Sequence, residues 1–164
     1  MLKTEFQRIH AYTYVMMCVL GVSAIVRAEN PIITDVFTAD PAPLVVGDTV
    51  YLYVGQDEAK EDRDGYRMNR WLVYSSSNMV DWVSHGSPLR PADFSWSSGK
   101  AYAAEVMEKN GKYYWFVSTG LKPRAMGIGV AISDSPTGPF KDALGKPLIT
   151  ADMTSDKRNH GWKD

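Results

Sequence analysis

The sequence predicts an all-β fold made of repeated four-stranded sheets. Short runs rich in β-branched and aromatic residues are closely spaced, turn residues separate them, and the set recurs after about 60 residues. Ala42–Val46 leads through the turn pair Gly47–Asp48 into Thr49–Val54, which reads as a hairpin. Trp71–Ser75 is the third strand, Ser76–Met79 a polar turn, and Trp82–His85 a short fourth strand. Between the second and third strands, Gln56–Arg70 is polar and charged and reads as an exposed loop. The second set follows the same order. Glu105–Glu108, the turn Lys109–Lys112, Tyr113–Ser118, a loop over 120–125, Gly127–Ile132, a turn over 133–139 and a fourth strand opened by Phe140. Tyr51 to Tyr113 is a step of 62 and Tyr74 to Ile132 a step of 58. Four-stranded units at such a period are expected to be propeller blades, and the chain carries two of them. No helical periodicity runs through residues 29–164.

Composition narrows the function. The 164 residues carry a net charge of −1, without the basic excess that binding to nucleic acid phosphates needs. Aromatic residues make up 12% of the chain, with five Trp and nine Tyr, which suits a β core and equally a surface on which sugar rings stack.

Residues 1–28 read as a signal peptide. Lys3 and Arg8 supply the positive start, Ala11–Val26 is largely apolar, and Val26–Arg27–Ala28 offers a cleavage site. The apolar run falls short of the roughly 20 residues of a membrane span, although an uncleaved anchor is the alternative. Cleavage implies a secreted or periplasmic protein with no membrane attachment afterwards. Cys18, the single cysteine, lies inside this segment, and Met16–Met17 before it suits a lipoprotein site poorly. Residues 29–164 then have no thiol chemistry. They keep 15 basic and 18 acidic residues, a net of −3.

Several segments, in order, resemble glycoside hydrolase family 43. Asn30–Val45 contains Asp40–Pro41 just ahead of the first blade strand, as in the family's opening motif. Tyr51–Ala59 and Trp71–Trp82 resemble the rest of a first blade, and Ala101–Glu105 stands where many members have a Trp-Ala-Pro-Glu-like stretch. Gly127–Ala131 through Asp134–Phe140 resembles the closing strands of a second blade. The resemblance covers residues 30–164 and implies the N-terminal part of a five-bladed propeller that cleaves arabinose- or xylose-containing plant polysaccharides with inversion.

The resemblance also implies three carboxylates: an Asp as general base, a second Asp that orients the acid and tunes its pKa, and a Glu as general acid. Asp40 matches the base, although an Asp before Pro is also an ordinary turn residue. Trp162–Lys163–Asp164 resembles the lead-in to the family's second motif, whose tuning Asp would follow Asp164. The sequence therefore reads as the first part of a longer propeller, or as one partner of a split one. By itself it is expected to be inactive, because one carboxylate positions a water but does not protonate a leaving sugar.

Phe37, Trp71 and Tyr102 are candidate walls of a sugar pocket, and each residue type equally suits a core. Asp57 and Asp35 are candidates to bond sugar hydroxyls, and Glu105 reads as structural or as a secondary sugar contact rather than the acid. The acidic run Asp57, Glu58, Glu61, Asp62 and Asp64 lacks the register of a calcium loop and reads as solvated. His85 and His160 lack the paired spacing of a zinc site. No organic cofactor is implied; calcium in the axis of a complete propeller fits the resemblance, with ligands outside this chain. Gly55–Ala59 leans the expected activity towards α-L-arabinofuranosidase over β-xylosidase. Two alternatives stand beside this reading. One is a non-catalytic carbohydrate-binding propeller. The other is a retaining fructan-cutting hydrolase, whose carboxylates would lie about 5–5.5 Å apart.

Overall fold

The computed structural model describes residues 31–58, 67–123 and 125–153. The expected signal peptide with Cys18, the residues Glu61, Asp62 and Asp64, His160 and the segment Trp162–Asp164 lie outside the described residues.

Two antiparallel sheets stack face to face. The first runs β1 (Phe37–Val46), β2 (Thr49–Asp57), β3 (Met68–Ser76) and β4 (Val83–Ser84), each strand beside the next. The second runs β5 (Ser97–Lys109), β6 (Lys112–Leu121), β7 (Ala125–Ser133) and β8 (Lys141–Asp142) in the same order, and β9 (Ile149–Thr150) also pairs with β7. Two sequential meanders of this kind are two propeller blades, with β1 and β5 as their first strands. Among the described residues there is no α-helix, only two 3-10 turns at Pro91–Asp93 and Ala151–Met153.

Turn chemistry sets the two hairpins. Gly47 takes a φ of 57° between β1 and β2, and Asn110–Gly111 takes 55° and 72° between β5 and β6. These are the positive values that tight hairpins require and that Gly and Asn accept most readily. The hairpins pair Val46 with Thr49 and Lys109 with Lys112, so the first two strands of the blades repeat at a step of 63. Tyr53 pairs with Val73 and Phe116 with Val130, so the third strands repeat at 57. Each sequence step, 62 and 58, is thus off by one residue. The counterpart of Tyr51 is Tyr114 rather than Tyr113, and a one-residue slip moves a side chain to the opposite face.

Strand ends also differ from expectation. β1 and β5 start well before Ala42 and Glu105. Met68, expected in the charged loop, is buried and opens β3, where it packs over Gly55: a Cβ on that glycine would meet the Met68 sulfur at 2.3 Å. Phe140 precedes the short outer strand and is buried against Trp115, with ring centroids 5.0 Å apart.

The main core lies between the sheets. Tyr53, Trp71 and Val73 of the first sheet meet Val106, Trp115 and Val117 of the second. Trp115 stands edge-on to Tyr53 at 4.9 Å and lies 6.2 Å from Trp71. Each such buried ring contributes on the order of 1.5–3 kcal/mol. Two hydrogen bonds cross the same interface. The Tyr53 hydroxyl donates to the Pro136 carbonyl at 2.6 Å, and the Trp71 indole N–H donates to the Tyr102 carbonyl at 2.8 Å. A smaller cluster of Val54, Leu72 and Tyr74 covers the far face of the first sheet, with Ile33, Val36, Leu52 and Trp82 against it.

Candidate functional site

Both first strands are broken by bulges at nearly the same level. In β1 the pairing jumps from Ala39–Gly55 to Ala42–Tyr53, which leaves Asp40 and Pro41 in a bulge. In β5 it jumps from Ala101–Thr119 to Ala104–Val117, which leaves Tyr102 and Ala103 in another. The first bulge ends five residues before the hairpin position Val46 and the second six before Lys109. Bulges release a strand from its ladder and re-aim side chains, and they concentrate next to active sites.

Asp40 carries the clearest irregularity. Its φ is 53°, in the left-handed region. An L-residue pays for that conformation, and a following proline disfavours it further by pressing its neighbour towards extended backbone. Aspartate tolerates the region best when its own side chain bonds nearby backbone. Here the Asp40 carboxylate is exposed and makes no hydrogen bond or ion pair among the described residues. Among the described residues no side-chain bond of Asp40 offsets the strain.

Phe37 and Asp57 flank it. They pair across the β1–β2 ladder at its open end, three residues before Asp40, with Phe37 71% exposed and Asp57 half-buried. Glu58 next to Asp57 is held in place, accepting from the Arg70 guanidinium at 3.1 Å and the Asn69 amide at 2.7 Å. Asp35, exposed just ahead of β1, lies close enough to Tyr74 to help raise the pKa of that phenol, after burial itself.

On the second sheet, Tyr102 is half-buried in the β5 bulge. Its surroundings are built by residues that the sequence does not single out. Thr119, fully buried, donates to the Lys100 carbonyl at 2.6 Å and shares a 2.7 Å hydrogen bond with the Ser97 hydroxyl. Ser97 in turn accepts from the Gly99 N–H at 3.0 Å, where Gly99 turns with a φ of 95°. Only Ser-Ser-Gly at 97–99 hints at this in the sequence, as a turn signal.

One candidate is corrected. Trp71 is 1% exposed and sits in the core between the sheets, its N–H spent on Tyr102, so it supports the second bulge and is not a pocket wall. Glu105 alternates with Val106, which points into that core, so Glu105 faces the side of the second sheet turned away from the first. Its carboxylate accepts the N–H of Val106 at 3.1 Å. Asp40, Phe37, Asp57 and Tyr102 remain as the groups that the two bulged strand ends present. Calcium finds no cage among them: within the described residues no three His, Cys, Asp or Glu side chains come together to hold a metal ion.

Comparison with known proteins fits this arrangement. A family model, glycosyl hydrolases family 43, matches residues 28–157. An arabinoxylan arabinofuranohydrolase of Bacillus subtilis is 34% identical over 143 residues, which is 74% of this chain and 27% of that protein. A xylosidase/arabinosidase of Humicola insolens is 33% identical over 118 residues, 67% of this chain and 36% of its own length. Among solved structures, a family 43 β-xylosidase/α-arabinofuranosidase from a compost microbial metagenome, in complex with xylotriose, superposes with a TM-score of 0.66 at 32% identity, covering 74% of this chain and 39% of that one. The chain thus spans about a quarter to two fifths of the length of these relatives. On the matched family model and the paired bulged blades, this chain belongs to glycosyl hydrolases family 43.

Proposed function

We propose that this chain supplies the first two blades and the general base, Asp40, of an exported inverting glycoside hydrolase acting on arabinose- or xylose-containing polysaccharides. The observation that carries the reading is the backbone of Asp40: an exposed carboxylate, without a partner among the described residues, held left-handed before a proline at a bulge in the first strand of the first blade. Uncompensated strain of this kind persists where function requires it.

The chemistry follows from the geometry that inversion demands. Asp40 takes a proton from a water, whose oxygen attacks the anomeric carbon on the side opposite the glycosidic oxygen. An acid about 6.5–9.5 Å from the base protonates that leaving oxygen. Phe37 and Tyr102 offer ring surface to the sugar, and Asp57 an acceptor for its hydroxyls. The similarity to an arabinoxylan arabinofuranohydrolase and a xylosidase/arabinosidase supports the substrate class, and the Gly55–Ala59 stretch favours arabinofuranoside over xyloside. Export rests on the sequence of residues 1–28. The acid and the tuning Asp are expected from later blades.

A chimera tests this directly. Residues 31–153 replace the aligned segment of the Bacillus subtilis relative, and arabinoxylan hydrolysis is followed by proton NMR. The chimera is expected to release a sugar whose first-formed anomer is inverted, while the 164-residue chain alone releases none. A retained anomer, or turnover by the chain alone, contradicts the proposal.

A further inference from the structure

The strand that carries Tyr102 is tied down by a directed chain of hydroxyl groups. β5 leaves its register with β6 twice, between Ser97 and Ala101 and again between Ala101 and Ala104. Lys100 lies in the first interval and Tyr102 in the second, and Ala101 between them is 0% exposed. A buried carbonyl in such a stretch needs a donor from elsewhere. Lys100 receives it from the Thr119 hydroxyl at 2.6 Å and Tyr102 from the Trp71 indole N–H at 2.8 Å. Two donors, one from each sheet, thus fix the backbone on both sides of Ala101.

A hydroxyl has one proton to give. Thr119 spends its proton on Lys100, so in the 2.7 Å bond between Ser97 and Thr119 it is Ser97 that donates. Ser97 in turn accepts the Gly99 N–H at 3.0 Å. The chain therefore runs one way, from the Gly99 N–H through Ser97 and Thr119 to the Lys100 carbonyl, and it closes the turn 97–100 onto β6. Ser97 is 5% and Thr119 0% exposed, so bulk water does not compete for these bonds, and consecutive bonds of this kind strengthen one another. The backbones are close here as well: a Cβ on Gly120 would collide with the Ser98 hydroxyl. Val117, two residues earlier on the same face of β6, is equally buried without a polar group, so burial alone does not call for a hydroxyl at 119.

We propose that Thr119 is a positioning residue for substrate binding: through the Lys100 carbonyl it holds the β5 bulge so that the Tyr102 ring meets the sugar. This rests on the proposed function, which puts Tyr102 at the sugar site. Thr119 touches no substrate itself. Its effect passes through Tyr102 and so falls on KM rather than on the chemical step, which belongs to the carboxylates.

The test uses both the chimera and the full 164-residue chain. Thr119→Val keeps the shape and removes the hydroxyl, which leaves Lys100 without its donor. In the chimera it should raise KM for arabinoxylan about tenfold and change kcat by less than about threefold, and Thr119→Ser should restore KM. Ser97→Ala, which breaks the chain one bond earlier, should raise KM about threefold and serves where Thr119→Val does not fold. Tyr102→Ala should raise KM by itself, and adding Thr119→Val to it should raise KM no further. In the full-length chain, the NMR ring resonances of Tyr102 should shift with Thr119→Val and return with Thr119→Ser. Unchanged KM in these hydroxyl variants, a Thr119→Val effect that persists in full beside Tyr102→Ala, or no rescue by Thr119→Ser overturns the role of Thr119 and leaves the proposed hydrolase standing. Unaltered Tyr102 resonances in the full-length Thr119→Val chain do the same. A parent chimera that neither binds nor cleaves arabinoxylan overturns the hydrolase reading and this one with it.

Discussion

At the scale of single residues, Asp40 sets the terms. Its left-handed backbone is worth roughly 1–3 kcal/mol of strain, and glycine at the same place would lose about 0.5–1 kcal/mol to the extra freedom of the unfolded chain. The first term exceeds the second, so Asp40→Gly is expected to stabilise the chain by about 1 kcal/mol. For a domain of this size that raises the thermal midpoint by about 4 °C. Asp40→Asn, which also tolerates the left-handed region, should leave the midpoint nearly unchanged. A midpoint lowered by Asp40→Gly would mean that the bulge is not strained. Trp71 shows the opposite assignment. Its ring type alone suits a pocket as well as a core, and only the inter-sheet packing and the bond to the Tyr102 carbonyl decide between them.

At the scale of strands and turns, the sequence was informative wherever local chemistry decides. Gly47–Asp48 and Asn110–Gly111 mark both hairpins, and the runs around Tyr51 and Trp115 mark the strands. The Asp40–Pro41 bulge was legible only as a motif. The Tyr102–Ala103 bulge was not legible, because Trp71, far off in sequence, satisfies the carbonyl that the bulge frees from the ladder. The one-residue error in aligning Tyr51 with Tyr113 has the same origin. Both tyrosines line the inter-sheet core from opposite sides, so hydrophobicity cannot tell their registers apart.

The Tyr53 hydroxyl gives the packing of these elements a pH signature. Burial first, then the neighbouring Tyr113 and Tyr51, push its pKa far above the ordinary tyrosine value of 10.0. The folded state therefore keeps this proton while the unfolded chain loses it. The associated stability is complete below about pH 10 and falls as pH rises from there towards the folded value. Tyr53→Phe removes the hydrogen bond to the Pro136 carbonyl and should cost about 1 kcal/mol near neutrality. It should also make the loss of stability between about pH 8 and about pH 11 shallower than in the parent chain. Urea midpoints at the two pH values measure both effects. Equal slopes would show that Tyr53 is not held protonated by the core.

At the scale of the whole molecule, the two sheets form one continuous stack whose first strands bring two bulges to the same end. The proposed role of Asp40 as general base rests on that arrangement and on the match of residues 28–157 to family 43. The chimera described above offers the most direct measurement: its kcat on arabinoxylan with Asp40 and with Asp40→Asn. Loss of a general base is expected to lower kcat by about 10²–10⁴-fold, with KM and the unfolding midpoint nearly unchanged. An Asp40→Asn chimera that keeps kcat within about tenfold of the parent would contradict the assignment of Asp40 as the base.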